Sequence, residues 1–414
     1  MFSALNPVHP SVRYFMLNPS APFAEVVKEA STVILAGGTL RPFSHLTSEL
    51  LPTESLEAAT LADGRGYDTP VTEGGKMTFF SCDHVVPKEN IHCLGLSHGP
   101  DGAPLDFNYA SRSLPSTLDS LGRTITNLCT IVPAGVVVFL PSYKYEAEVV
   151  RRWKDTGAWE VIRGKKRVFR EPKVRRGEGE REKEGGGGEG EARSRRISSS
   201  SLRILSHSTV VVCCSFFLSP LFSFLLFSLS SLFSSTLLPS LQDSKDLDAT
   251  LSNYSRAVGK GTGAVLFSVV GGKMSEGINF ADDMARCVVV VGLPFPDNKA
   301  AELKEKMAHL DREYKAAGNK GITGSSYYFN LCMRAVNQSV GRAIRHKGDH
   351  SSIVLCDRRY ITDRNVWMGL PGWIRKGGGE GGGHGRLTKG PEGNNFGRQL
   401  LGLRQFFQQM KSKQ

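Results

Sequence analysis

Five runs of four to seven apolar, mostly β-branched residues recur along the chain: Thr32–Leu35 (TVIL), Val136–Leu140 (VVVFL), Ala264–Val270 (AVLFSVV), Cys287–Val291 (CVVVV) and Ser352–Cys356 (SIVLC). A strand with one wet face alternates apolar and polar residues, whereas an unbroken apolar run must be covered on both faces. Helix-like stretches separate the runs: Tyr143–Trp153, Asp243–Val258, Ala301–Leu310 and Tyr327–Ala343. This alternation predicts an α/β fold, a mostly parallel sheet with helices on both faces. No internal repeat competes with that reading.

The 414 residues allow two or three domains, and 40% hydrophobic content suffices for a sizeable core, which excludes wholesale disorder. An excess of 52 Lys+Arg over 40 Asp+Glu gives a net charge of +12, a field that favours phosphate-bearing partners. The eight cysteines form no C-x-x-C pair and have no histidine cluster beside them, so no zinc ribbon or redox motif is supported and no metal ligand is assigned. They read as reduced, mostly buried thiols of an intracellular protein. The N-terminus lacks the basic-then-apolar order of a secretory signal.

One segment differs from the rest. Val174–Arg196 is dominated by Gly, Glu, Arg and Lys, and Ile204–Gln242 contains no charged residue. A membrane anchor and a disordered insertion are two readings of it, although repeated serines weaken the first. A third accounts for the composition more fully. All but Thr236 of the 27 residues Ser215–Leu241 are Ser, Phe, Leu or Pro, the four residues encoded by all-pyrimidine codons, and Gln242 is compatible with CAG. At the other end Lys173-Val174 is compatible with AAG followed by GU. Val174–Gln242 therefore reads as a retained intron open in frame. Lys376–Asn395 is a second Gly-rich stretch, either another such insertion or a linker.

Glycines follow two of the apolar runs, Gly37-Gly38-Thr39 and Gly271-Gly272-Lys273, where a parallel sheet places its ligand crevice. Near the C-terminal side lies Gln338-Ser-Val-Gly341-Arg342-Ala-Ile-Arg345-His346. If the helix continued through it, spacings of three and four would put Gln338, Arg342 and Arg345 on one face, with Gly341 allowing close backbone approach. Two such guanidiniums suit bidentate contact with phosphate, and a solvated helix face is the alternative.

NQSVGRAIRH resembles the last motif of superfamily 2 helicases, specifically the iron–sulfur DEAH-type DNA helicases of the xeroderma pigmentosum group D class. VILAGGTLRP resembles the third motif of that class, GVVVFLPSY the fourth and SVVGGKMSEGINFADD the fifth. FSCDHVVPKENI, PLDFNYASR and NLCMRAVNQSVGRAIRHKGDHSSIVLCDRRY resemble its ChlR (chromosome-loss) branch most. The resemblance runs in order from about Phe15 to Lys173 and from Asp243 to Arg375.

The resemblance implies a RecA-like C-terminal helicase lobe, with residues 1–52 the end of a first lobe and 53–76 a linker. Residues 77–173 and 243–375 form the lobe itself around the 174–242 insertion. A linker or insertion over 376–395 and a helix over 396–414 complete the division. It implies an ATP-dependent 5′-to-3′ DNA helicase of the nucleus, working in DNA repair and sister-chromatid cohesion. ATP and Mg²⁺ are the implied cofactors, and the iron–sulfur cluster is expected only in the missing N-terminal half. Implied partners are single-stranded and forked DNA, ATP and the missing first lobe; no membrane partner is expected, and the protein is expected to be a monomer. Arg342 and Arg345 would be arginine fingers, and Gln338 a sensor of the γ-phosphate. Gly272, Glu276, Gly277 and Asn279 would couple nucleotide to DNA, Asn279 standing where the family often has Asp. Ser142 and Tyr143 would touch a DNA phosphate, Gly38 and Thr39 would relay between lobes, and the basic run Arg163–Arg170 is a further candidate for phosphate contact.

The Walker A loop and DEAH box are not in the sequence. Gly259-Lys260 and Gly272-Lys273 are the nearest approaches to G-x-x-x-x-G-K-[ST], but Tyr254 and Phe267 replace the first glycine and Gly261 and Met274 the final hydroxyl residue. The chain is thus expected to begin near the last strand of the first lobe and to be inactive alone. The alternative reading is a non-catalytic nucleic-acid-binding fragment.

Overall fold

The computed structural model describes residues 14–37, 46, 49–50, 86–173, 238–277, 280–318, 321–376 and 396–413. Gly38, Thr39, Asn279, almost all of the 174–242 segment and most of the Gly-rich 376–395 stretch lie outside them.

Six strands form one sheet: β1 Ile91–Leu96, β2 Gly135–Leu140, β3 Arg167–Arg170, β4 Ala264–Val269, β5 Cys287–Val291 and β6 Ser351–Cys356. Their order is β1-β6-β5-β2-β4-β3, and every pairing is parallel. The helices are α1 Ser20–Glu29, α2 Pro115–Ile131, α3 Tyr143–Asp155, α4 Ala158–Lys165, α5 Leu238–Gly259, α6 Lys273–Gly277, α7 Ala301–Ala316 and α8 Gly324–Val340. Three short helices, α9 Arg359–Thr362, α10 Arg364–Gly369 and α11 Gly372–Lys376, precede the terminal α12 Phe396–Lys413.

The unbroken apolar runs are explained by two cores, one on each face. Val136, Val138 and Leu140 of β2 point into a cluster with α2, α3, α4 and α12, while Val137 and Phe139 point into one with α5 and α8. Five strands are buried at every position; β3, at the edge, keeps Arg167 and Arg170 exposed. Trp153 anchors the first core, edge-on to Phe267 at 5.7 Å, and its indole N–H donates to Leu118 O at 2.8 Å. Tyr254 anchors the second, with its ring edge-on to Phe169 at 5.7 Å. The described cysteines 93, 129, 287, 332 and 356 are buried and unpaired, as free thiols should be. Burial pushes Cys93, Cys129 and Cys332 up to about 12, which keeps them protonated and inert.

Thr32–Leu35 departs from expectation. It forms no strand, because no described strand pairs with it, and Ile34 stays 63% exposed. An apolar run without a ladder leaves its backbone groups to water. Among the described residues, no helix is long and apolar enough to cross a membrane.

Candidate nucleotide and nucleic-acid site

The chain leaves β2 through α3 on one face and leaves β5 through α7 and α8, of which α8 packs on the other. Since β2 and β5 are adjacent, their carboxyl ends bracket the point where the connections diverge, the place where open α/β sheets bind ligands. Gly292 sits there with φ 68°, and a Cβ on it would lie 2.9 Å from Cβ of Phe107. Facing it, Ser142 is the N-cap of α3 and its Oγ accepts from Tyr145 N at 3.2 Å. A capping hydroxyl that accepts in this way still has its own proton to give.

Tyr143 is placed differently from the sequence reading. Its hydroxyl donates to Glu171 Oε1 at 2.7 Å, so its one proton is committed to a carboxylate. Burial, reinforced by that bond, raises its pKa and keeps the proton on. Glu171 also accepts from Ser268 Oγ at 2.7 Å, Val269 N at 2.9 Å and Met274 N at 3.1 Å. The fourth-motif turn and the fifth-motif loop thus meet on one buried side chain. Gly272 packs against that carboxylate and Gly271 turns at φ 73°. Glu276 and Gly277 lie in the short helix α6 that follows.

The arginines are also placed differently. The reading that carried a helix through Ala343 fails, because α8 ends at Val340 with Gly341 as its C-cap. Arg342 N and Ala343 N then make tight turns back to Ser339 O and Val340 O, both at 3.2 Å. Gly341 keeps a right-handed backbone, φ −65° and ψ −10°, so the helix ends by tightening into these turns and not through a left-handed glycine. Gln338 is exposed on the last turn of α8, Arg342 is half-buried in the turn, and Arg345 is exposed in the loop beyond. Gln338 thus lies on the last helical turn, while Arg342 and Arg345 lie in the turn and loop beyond it and do not share a helical face with it.

What holds that loop is Asp349, 0% exposed. Its Oδ2 accepts from Arg345 N at 3.2 Å, and its Oδ1 from His350 N at 2.8 Å and Arg286 Nη1 at 2.9 Å. Arg286 donates further to His350 O and Asp283 Oδ1, each at 2.9 Å. Nothing in the sequence marked this pair, whose members are 63 positions apart. Asp282, His346 and Asp349 bring ligand atoms within 4.8 Å of one another. The Arg286 guanidinium already occupies Asp349, and its positive charge opposes a second cation there.

The basic run Arg163–Arg170 is largely consumed within the molecule. Arg170 Nη2 meets Glu146 Oε2 at 2.7 Å, Arg163 meets Glu160 at 3.0 Å, and the buried Lys166 donates to Ala134 O at 2.7 Å. Desolvation lowers the pKa of Lys166. In compensation, the loop after β1 supplies a cation that sequence reasoning missed. The Arg112 guanidinium lies 5.1 Å from the centroid of the Tyr109 ring and 5.6 Å from that of Tyr145, and Tyr109 is 86% exposed. An exposed ring backed by a guanidinium is a surface on which a base can stack.

The capped turn and the glycine loop lie at the carboxyl ends of the strands, whereas the Arg345 loop, tied through Asp349 to Arg286, lies at their amino ends. The family described as the helicase C-terminal domain matches residues 203–377. "ATP-dependent DNA helicase DDX11" of Mus musculus is 36% identical over 365 residues, 88% of this chain and 32% of the relative. Its Danio rerio counterpart is 36% identical over 372 residues, with the same shares. "ATP-dependent DNA helicase CHL1" of Sclerotinia sclerotiorum is 34% identical over 439 residues, 96% of this chain and 40% of the relative. The chain is similar to these DDX11/CHL1 helicases over most of its own length, and it spans about a third of the length of the first of them.

Proposed function

We propose that the chain is the second-lobe portion of an ATP-dependent DNA helicase that tracks 5′ to 3′ along single strands, opens forked duplexes, and serves DNA repair and chromosome cohesion in the nucleus. The observation that carries this reading is the Gln338–Arg345 segment, with Gln338 and Arg345 exposed and the Arg345 main chain held by buried Asp349. Guanidiniums and a carboxamide fit phosphate oxygens of ATP. Arg342 and Arg345 would stabilise charge on the transferred phosphoryl group, a role worth roughly 10³–10⁵ in rate, with Gln338 reading the γ-phosphate and Gly341 keeping the approach open. Mg²⁺ and the β/γ-phosphates would be held by a phosphate loop and an acidic box, motifs not found in the 414 residues, and both would fall to a first lobe. Among the described residues the cysteines form no ligand group for an iron–sulfur cluster, which would belong to the first lobe. Ser142, the Tyr109–Arg112 stack and the Gly272–Gly277 segment would face the DNA strand, with Asn279 extending that segment and Gly38 and Thr39 relaying between lobes.

The test joins a first lobe to this chain and measures kcat for ATP beside a single-stranded DNA titration at fixed salt. Arg342→Lys and Arg345→Lys should each lower kcat by at least about 100-fold, because lysine cannot hold two phosphate oxygens at once. DNA affinity should change little, since it is spread over several phosphate contacts. Normal turnover with weakened DNA binding would move both arginines to the nucleic acid.

A further inference from the structure

A carboxylate has about four acceptor positions, and Glu171 has all four filled: Tyr143 Oη and Met274 N on one oxygen, Ser268 Oγ and Val269 N on the other. The residue is 7% exposed. No lone pair remains for substrate, metal or water, so it is not a catalytic group. Its donors come from two regions far from it in sequence: the first turn of α3, 28 positions away, and the stretch from the end of β4 to the start of α6, 97 to 103 positions away. Two of the donors are main-chain N–H groups on either side of Gly271-Gly272, so the carboxylate grips that loop at both ends. Of the two hydroxyls, that of Ser268 adds to the grip at the end of β4 and that of Tyr143 ties it to the fourth motif, and Gly272 leaves the space in which the carboxylate sits.

We propose that Glu171 is a positioning residue that makes the fourth-motif turn and the fifth-motif loop one mechanical unit, so that a strand held at Ser142 sets the position of the Gly271–Gly277 segment. The DNA part of this statement rests on the function proposed above; the mechanical part does not. A glutamine cannot replace Glu171, because its NH₂ would face a main-chain N–H whichever way the amide turned.

The test is residue-resolved hydrogen exchange on the full 414-residue chain, with and without a saturating single-stranded oligo-deoxythymidine. Tyr143→Phe removes only the hydroxyl that joins the two motifs, and it decides the matter should Glu171→Gln fail to fold. Without DNA, Tyr143→Phe should speed exchange at Met274 N and Val269 N about tenfold, as expected for loss of one bond to a charged acceptor, while the β5 amides Cys287–Val291 stay unchanged. Unchanged exchange at Met274, or equal acceleration in β5, overturns the link. With DNA bound, Met274 N should slow in the wild type and not in Tyr143→Phe; equal slowing in both also overturns it. If the wild-type chain binds no oligomer, the DNA reading falls, and the DNA-free comparison still judges the link.

Discussion

Gly272→Ala tests the packing at the crest of the sheet directly. A Cβ at this position would collide with Glu171 Oε1 and lie 2.8 Å from Oε2 and 2.9 Å from Cδ, inside any normal contact. The carboxylate cannot step aside cheaply, because two hydroxyls and two main-chain N–H groups hold it. A shift large enough to admit the methyl would break or stretch about two of the four bonds, each worth roughly 1.5–3 kcal/mol at a charged acceptor. The expected loss is therefore about 3–6 kcal/mol, or a drop in Tm of roughly 6–24 °C for a domain of this size. Gly271→Ala is the internal control. That glycine has φ 73° with nothing within 4 Å of its Cβ position, so alanine meets only the left-handed backbone penalty of about 1–2 kcal/mol. Urea unfolding of both variants gives the comparison. If Gly271→Ala proves equal to or worse than Gly272→Ala, backbone conformation rather than the carboxylate limits this loop, and the account of Glu171 given above is wrong.

Asp349→Ala should cost about 3–5 kcal/mol in urea unfolding, because it leaves a buried guanidinium without its carboxylate; a loss under about 1 kcal/mol would show that Asp283 alone satisfies Arg286. The His350 ring is buried beside Phe406 and Phe407, and burial, then the nearby Arg286, hold its pKa below the ordinary 6.5. Between the lowered value and 6.5 the unfolded chain binds more protons than the folded one. Its contribution to stability is therefore complete above 6.5 and is lost as pH falls through the lowered value. Unfolding free energy should decline on acidification from about pH 7.5 to 5, and His350→Phe should flatten that slope; an unchanged slope assigns it elsewhere. Deleting Val174–Gln242 should raise soluble yield, since Ile204–Gln242 is an uncharged Phe/Leu/Ser-rich run, and loss of the thermal transition on deletion would mark the segment as structural.

Legibility followed from how each residue is supported. The four central strands were readable because burial on both faces demands unbroken apolar runs, and their ends fell within a residue of the reading. β1 escaped because His92 and Gly95 interrupt its run; His92 is nonetheless buried, its ring stacked on Phe406 at 5.3 Å. β3 escaped because an edge strand needs one neighbour only and can keep its arginines, so RVFR passed for a basic patch. The arginines were singled out by residue type, but the helix read through Ala343 ends at Val340, because an apolar and polar periodicity can run on past the last helical hydrogen bond. Glu171 and Asp349 were invisible for a different reason. A buried carboxylate is defined by its donors, and apart from the Arg345 and His350 main chain these lie 28 to 103 positions away.

β3 ends at Arg170, α5 begins at Leu238, and the strand that α5 leads to, β4, is the direct neighbour of β3. The pairing of β3 with β4 lies at the rim of the sheet, and α5 itself packs inward, its Tyr254 ring edge-on to Phe280 at 6.5 Å. Each doubling of a flexible connection costs only about 0.6 kcal/mol, so lengthening the join from a handful of residues to roughly seventy costs about 2 kcal/mol. A core that loses so little is a poor inspector of its own message. A transcript spliced across codons 174–242 and one that reads through them would yield the same sheet, and discrimination between the two products would pass from folding to RNA processing and to the proteases that meet the added chain.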